Sequence, residues 1–228
     1  MSSGKLKIRE IFKTVQGEGS QTGQPSVFVR FSGCNLWSGL EKGRASGAGE
    51  CATWCDTDFA SGTLLSVSEI VDEVNKLTVG WKHRMVVMSG GEPLLQLKRD
   101  AGKKLCEALK EIGVRLALET NGTVDHPVLE LFDHITVSPK SLVSTKDKDV
   151  SWNHVVLRRG TDLKVIVPTM WSVNAINEFC GWDFSHKFFQ PKDIDGNGLS
   201  NIDVAVDMAR KHAGWRVSFQ THKYVRLP

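Results

Sequence analysis

Cys34, Cys51 and Cys55 stand in one glycine-rich, polar stretch, GCNLWSGLEKGRASGAGECATWCDTDF, and are three of the chain's five cysteines. Thiolates bind zinc and iron–sulfur clusters, and a closed site of either kind takes four protein ligands. Three thiolates with no obvious fourth describe a [4Fe–4S] cubane whose remaining iron is open to a small molecule. Ordinary buried cysteines are the plain alternative, which the polar surroundings oppose. A Cys3His zinc site, completed by His83 or another distant histidine, is the sharper rival. Spacing alone leaves cluster and zinc level, because neither gap is that of a zinc-ribbon pair.

Other segments carry chemistry of a different kind. Gly90-Gly91-Glu92-Pro93 directly follows an apolar run; two glycines let backbone approach a ligand, although such a segment in isolation is usually a simple turn. Gln16-Gly17-Glu18-Gly19 sets an amide and a carboxylate on a glycine-flanked turn. That pair suits the donor-rich edge of a pterin or guanine ring; taken alone, the segment reads as a hairpin loop. Arg30 interrupts a run of Val and Phe, and a buried guanidinium demands an anion, on the protein or on a substrate. Lys140 and Lys164 lie at or near predicted strand ends, pointing into the same region. The tail Gln220-Thr221-His222-Lys223-Tyr224-Val225-Arg226-Leu227-Pro228 follows a predicted strand at once, which predicts a terminus closing over a site rather than a frayed end.

The elements that must gather these groups are legible as short β-branched or aromatic runs alternating with amphipathic segments. Strands are predicted at Val27–Phe31, Met85–Ser89, Arg115–Glu119, Ile135–Ser138, Leu163–Val167, Lys187–Gln190 and Arg216–Gln220. Helices are predicted over Ser66–Leu77, Leu97–Ile112, Val173–Cys180 and Asn201–Ala213, with a shorter turn around His126–Phe132. Ser66 and Glu69 fit a capping box, and Ile70, Val71, Val74 and Leu77 share one face. Pro139–Thr161 is charged and irregular, so one crossover lacks a proper helix. Such alternation favours a parallel sheet, and in α/β folds ligands bind at the C-terminal edge of the strands. Ser89-Gly90-Gly91, Glu119-Thr120-Asn121-Gly122, Ser138-Pro139-Lys140 and Gln190-Pro191-Lys192-Asp193 all fall at that edge.

The 228 residues are 40% hydrophobic, enough to bury a core in one domain. A net charge of +3 gives no reason to expect nucleic acid as a partner. No apolar run reaches membrane-spanning length, and the N-terminus lacks the apolar core of a secretory signal. A soluble, cytoplasmic protein with reduced cysteines is expected.

Taken together, the segments resemble the 7-carboxy-7-deazaguanine synthases, radical S-adenosylmethionine (SAM) enzymes of 7-deazapurine (queuosine-type) biosynthesis. The resemblance runs nearly end to end and rests on Val15-Gln16-Gly17-Glu18-Gly19, the Arg30–Gly39 segment, Cys55-Asp56-Thr57-Asp58-Phe59, Gly90-Gly91-Glu92-Pro93, Glu119–Gly122, Ser138-Pro139-Lys140 and Gln220–Tyr224. It implies an α/β fold, an incomplete, modified (β/α)6-type radical SAM barrel with reduced helix content. The whole of 1–228 would be one domain, with a long cluster-binding loop at 32–59 and a closing tail at 216–228. Cys34, Cys51 and Cys55 would hold a [4Fe–4S] cluster. Trp54, Asp56, Gly91, Ser138, Pro139, Lys140, Gln190, Pro191, Lys192 and Asp193 would line the SAM pocket. Thr57 would bind Mg2+, and Val15, Gln16, Gly17, Arg30, Ser89, His222 and Pro228 would surround a pterin.

The implied reaction converts 6-carboxy-5,6,7,8-tetrahydropterin to 7-carboxy-7-deazaguanine and ammonia, begun by hydrogen abstraction at C6. No side chain is implied as an acid or base. A homodimer and a flavodoxin- or ferredoxin-type electron donor are also implied. One feature departs from the family: Ala52, Thr53 and Trp54 separate the last two cysteines, where two residues are usual. Two other readings remain. A glycyl-radical-enzyme activating enzyme would share the cluster and GGEP without accounting for QGEG or the His222 tail. A zinc-stabilised binding module would be colourless.

Overall fold

A computed structural model of the chain describes residues 4–40, 51, 55, 57–142, 152–169, 171–194, 196 and 199–225. Nine strands form one sheet: β1 (Lys5–Val15), β2 (Pro25–Phe31), β3 (Thr63–Ser66), β4 (Arg84–Gly90), β5 (Val114–Thr120), β6 (His134–Val137), β7 (Arg159–Val167), β8 (Asp183–Pro191) and β9 (Trp215–Val217). Their spatial order is β3-β1-β2-β4-β5-β6-β7-β8-β9. From β2 to β9 every pairing is parallel. Only β1 runs against its neighbours, β2 and β3.

Helices carry the chain between most parallel neighbours: α1 (Val67–Leu77) before β4, α2 (Leu94–Leu97) and α3 (Asp100–Glu111) before β5, α4 (Val173–Cys180) before β8 and α5 (Ile202–Lys211) before β9. A 3-10 turn, Pro127–Leu131, replaces a helix between β5 and β6, and the described residues between β6 and β7 contain none. This is the α/β architecture expected, an incomplete, modified (β/α)6-type barrel poor in helix. The tail adds a single turn, α6 (Thr221–Tyr224).

Period-2 alternation explains how the sheet divides its residues. Val27, Val29 and Phe31 of β2, Val86 and Met88 of β4, and Leu116 and Leu118 of β5 face the helices and join Ile70, Val74, Leu105 and Leu109 in the main core. Each such side chain, fully buried, contributes roughly 1.5–3 kcal/mol relative to exposure. Their sequence neighbours turn inward. Phe28, Met85, Val87 and Ala117 form a small apolar plug within the curved sheet.

The capping box on α1 is present as expected: Ser66 Oγ accepts from the Glu69 amide, and Glu69 Oε2 accepts from the Ser66 amide at 2.7 Å. The helix expected over Leu97–Ile112 is two pieces instead. Gly102 sits against Leu97 so closely that any Cβ there would overlap it, and the chain bends between α2 and α3 to make that approach. Two strands, β1 and β3, have no counterpart among the predicted elements. In β1 the pairing with β2 slips between Ile8 and Glu10, so the buried positions Leu6 and Ile8 give way to Thr14 without a steady period. At the far end, β9 stops at Val217, and the residues expected to extend it bend into the α6 turn.

Candidate active site

Where the inner face of the barrel rises toward the C-terminal ends of the strands it becomes polar. Arg30 of β2, Ser89 of β4, Glu119 of β5, Ser138 after β6, Lys164 of β7 and Gln190 of β8 all open onto one cavity of about 470 Å³. Cys34, Cys51, Cys55 and Thr57 form part of its wall, with Gly91, Pro191, Lys192 and Asp193 beside them. Val15, Gln16 and Glu18 reach it from the turn after β1, and His222 from the tail. With Lys140, sixteen of the site positions implied by the resemblance meet there.

Gly17 and Pro139 are not among the lining residues. Pro139 is buried. Gly17 lies behind the surface, backed against His222: a Cβ on it would overlap the imidazole and come within 2.8 Å of the His222 backbone nitrogen. Trp54, Asp56 and Pro228 lie outside the described residues. The guanidinium of Arg30 has its anion on the protein, donating from Nε to Glu10 Oε1 at 2.7 Å and resting over the Phe12 ring. It sits at the rim of the cavity, 22% exposed, rather than fully buried.

Two of the carboxylates that line the cavity, Glu18 and Glu119, are missing from the pocket residues implied by the resemblance, although Glu18 shares the QGEG turn read as suited to a pterin edge. Lys164 Nζ donates to Glu18 Oε2, while the Gln190 and Gln220 amides donate to Oε1 at 2.9 and 2.8 Å. Burial would raise the Glu18 carboxyl, but the Lys164 charge and the hydrogen bonds from Lys164 and Gln220 outweigh it and hold the group at about 2. It is a carboxylate at any physiological pH. Burial alone would lower the Lys164 ammonium; Glu18 and Glu119 instead drive it well above the usual lysine range. Glu119 accepts from Gln16 Nε2 at 3.1 Å and from Ser89 Oγ at 2.9 Å. The signal for both acids lay in their motifs, QGEG and the strand-end ETNG.

Glu92 of GGEP is fully buried and does not enter the cavity wall. Its carboxylate accepts from the Leu94 amide, Thr120 Oγ1 and the Asn121 amide at 3.0, 2.8 and 2.7 Å, tying the β4 end to the β5 end. Burial pushes it up to about 7 despite those three bonds. Asn121 in turn donates to Asn35 at 3.0 Å, which fixes the segment after Cys34. Gly91 allows the same strand end to pass the cysteine loop: a Cβ there would overlap the Gly33 carbonyl and stand 3.0 Å from the Cys34 amide.

The three thiols are half-buried. Burial raises the Cys34 thiol, against hydrogen bonds from the Leu36 and Trp37 amides. Lys140 is lowered by burial and by the repulsion of Lys164, against attraction from Cys51, Cys55 and Glu18. Among the described residues no three His, Cys, Asp or Glu side chains stand close enough to hold one metal ion. Ligands of a single tetrahedral zinc lie about 4 Å apart, since each bond is about 2.3 Å. A cubane places its three thiolates on three different irons, farther apart. Cys34, Cys51 and Cys55 line one cavity together with Lys140, and three thiols are the donor set of a [4Fe–4S] cluster with one iron left open.

Relatives named 7-carboxy-7-deazaguanine synthase match this chain almost from end to end. The protein of Burkholderia multivorans is 39% identical, covering 97% of this chain and 98% of its own. That of Bradyrhizobium diazoefficiens is 40% identical over 95% of this chain and 96% of its own. The chain belongs to the 7-carboxy-7-deazaguanine synthase family. A 7-carboxy-7-deazaguanine synthase from Caulobacter vibrioides is likewise 39% identical, with 97% and 98% covered. No family model matches the chain. In fold, the crystal structure of QueE from Escherichia coli is similar with a TM-score of 0.65 at 23% identity, over 95% of this chain and 94% of that one. As a member of the 7-carboxy-7-deazaguanine synthases the chain is a radical SAM protein, for which [4Fe–4S] and SAM are the family cofactors. No helix among the described residues is long and apolar enough to cross a membrane.

Proposed function

We propose that the chain converts 6-carboxy-5,6,7,8-tetrahydropterin to 7-carboxy-7-deazaguanine with release of ammonia. The observation that carries this reading is one cavity lined both by the three thiols and by the Glu18 and Glu119 carboxylates, in a chain related end to end to synthases of that name. Substrate and product differ by one ammonia, so the conversion needs no net oxidant or reductant.

Cys34, Cys51 and Cys55 would hold the [4Fe–4S] cluster, with SAM lodged against Gly91, Ser138, Lys140 and the Gln190–Asp193 strand end. When bound, these cofactors supply the hydrogen-abstracting chemistry that opens the reaction. The protein's part is recognition and exclusion of water. Glu18, ionised and aimed by three donors, suits the amino and N–H edge of the pterin. Gln16 adds an amide to that edge, Ser89 and Glu119 face the reduced ring, and His222 closes the far side. Burial lowers the His222 imidazole, leaving it neutral at pH 7 and able to offer one donor and one acceptor. Arg30, already anchored by Glu10, keeps its terminal nitrogens for the substrate carboxylate. Thr57 would present its hydroxyl to Mg2+, an ion that favours oxygen ligands. In this reading 1–228 acts as one catalytic domain, with 32–59 as cluster loop and 216–228 as closing tail. It works as a homodimer in the cytoplasm and takes electrons from a flavodoxin or ferredoxin.

Anaerobic purification tests the reading: a brown protein with about four irons per chain is expected. Adding the tetrahydropterin, SAM and a reductant should then yield 7-carboxy-7-deazaguanine by mass, more of it with Mg2+. Brown protein that cleaves SAM and leaves the pterin intact would refute the substrate while keeping the enzyme class.

A further inference from the structure

Below the cavity, on the inner face of β7, sits a carboxylate that the reaction itself does not call upon. Asp162 is 1% exposed. Oδ2 accepts from the Ser20 amide and Oδ1 from the Ser20 hydroxyl, each at 2.8 Å. His134 Nε2 of β6 stands 3.4 Å from Oδ2, and Thr136 Oγ1 meets the same ring nitrogen at 3.2 Å. Burying an acid so deeply costs several kcal/mol unless every lone pair is met. Here the protein meets them with the turn between β1 and β2, strands that are not neighbours of β7 in the sheet.

That turn is the 3-10 segment Gly19–Gln21, immediately after Glu18. Gly19 has φ +63°, and a Cβ on it would come within 2.5 Å of Asp162 Oδ2. Its amide donates to Ser218 Oγ at 2.9 Å. Ser218 then gives its one hydroxyl proton to Gln190 Oε1 at 3.0 Å, which turns the other end of that amide, Nε2, toward Glu18. Ser218 and Gln190 are both 3% exposed. A closed circuit results, from Glu18 along the backbone to Gly19, through Ser218 and Gln190, and back to Glu18. Asp162 clamps that circuit at Ser20.

We propose that Asp162 is a positioning residue for the synthase reaction, holding the Gly19-Ser20 turn inside the barrel so that the Glu18 carboxylate meets the pterin edge. The inference rests on the reading of Glu18 as a pterin contact. It makes Asp162 part of substrate affinity though it touches no substrate. SAM, on the cysteine side of the cavity, is outside its reach.

The test is a double-mutant cycle on the cluster-loaded enzyme, read by anaerobic equilibrium titration with 6-carboxytetrahydropterin and, in parallel, with SAM. Asp162→Asn keeps the size and loses the charge and one acceptor. It should weaken pterin binding about tenfold, with SAM binding unchanged. Glu18→Gln should weaken it about 10–100-fold, the scale of a hydrogen bond to a charged group. The double variant should bind no worse than Glu18→Gln alone, because the effects of residues acting through one contact do not add. Additive losses overturn the proposal, as does equal weakening of pterin and SAM, which marks a general structural role. Glu18→Gln with unaltered pterin affinity also overturns it, while leaving the proposed activity to stand on product formation. Ser20→Ala, which removes one bond to Asp162 and no charge, guards against a variant that does not fold. It should cost about threefold in pterin affinity, and an unchanged value in that folded protein overturns the proposal as well.

Discussion

Replacing Lys164 by Met would strand the Glu18 carboxylate, and the structure fixes both the size and the pH dependence of the damage. Glu18 sits at about 2 rather than its ordinary 4.5, with only 14% of its side chain exposed. At about 1.4 kcal/mol per unit, the net shift left by burial, Lys164 and the weaker contributions of Gln220 and His222 is worth on the order of 3 kcal/mol. For a chain of this length that corresponds to a melting temperature lower by about 6–12 °C at pH 7. The sign of the pH effect follows from the direction of the shift. In the parent protein the folded carboxyl is depressed, so its contribution is complete above about pH 4.5 and disappears as the pH falls toward 2. In Lys164→Met the lowering cation is gone and burial dominates, so Glu18 titrates above 4.5. The variant then escapes its penalty by taking up a proton, and the gap between the two proteins narrows as the pH is lowered from 8 to 5. Melting followed by circular dichroism at several pH values, under anaerobic conditions, measures that gap. A gap below about 2 °C at pH 7, or one that widens on acidification, would refute the assignment of Lys164 and Glu18 as mutually dependent charges.

Three further outcomes follow from the same geometry. Gly17→Ala should push His222 away, since the new methyl meets the His222 backbone as well as its ring; a loss of at least about tenfold in pterin affinity is expected, with SAM affinity retained, measured by titration. Alanine at Cys34, Cys51 or Cys55 should abolish the brown colour and iron content, whereas Cys106→Ala and Cys180→Ala should keep both. Cys106 is buried among helix residues and Cys180 takes the Trp215 indole N–H at 3.3 Å, so neither is near the cavity. Gly91→Ala should displace the Gly33-Cys34 backbone and lower iron content by at least half, read by iron analysis of the purified protein.

Much of the barrel was legible because its middle strands bury both faces. Apolar runs such as Met85–Met88, or Leu163–Val167 broken only by Lys164, announce themselves, and Ser66 with Glu69 marks a helix start by mechanism. β1 escaped notice for the opposite reason: its outward positions are lysine, arginine and glutamate, and the bulge near Ile8 interrupts its alternation. Asp162 was hidden by a strand that begins earlier than its apolar run. The motifs located the cavity, yet a motif names residue types and not partners. Only the folded chain shows that Glu18 answers to Lys164, that Arg30 answers to Glu10, and that Glu92, for all its place in GGEP, ties two strands together instead of facing a ligand.

The hydrogen bond from the Thr221 amide to the Gly17 carbonyl, 2.9 Å long, joins the turn after β1 to the segment after β9. The two partners are 204 residues apart in sequence. A growing chain can therefore order most of its sheet before the Gly17 carbonyl gains this partner, and a chain cut before Thr221 would keep the strands and lose the bond that fastens the turn after β1.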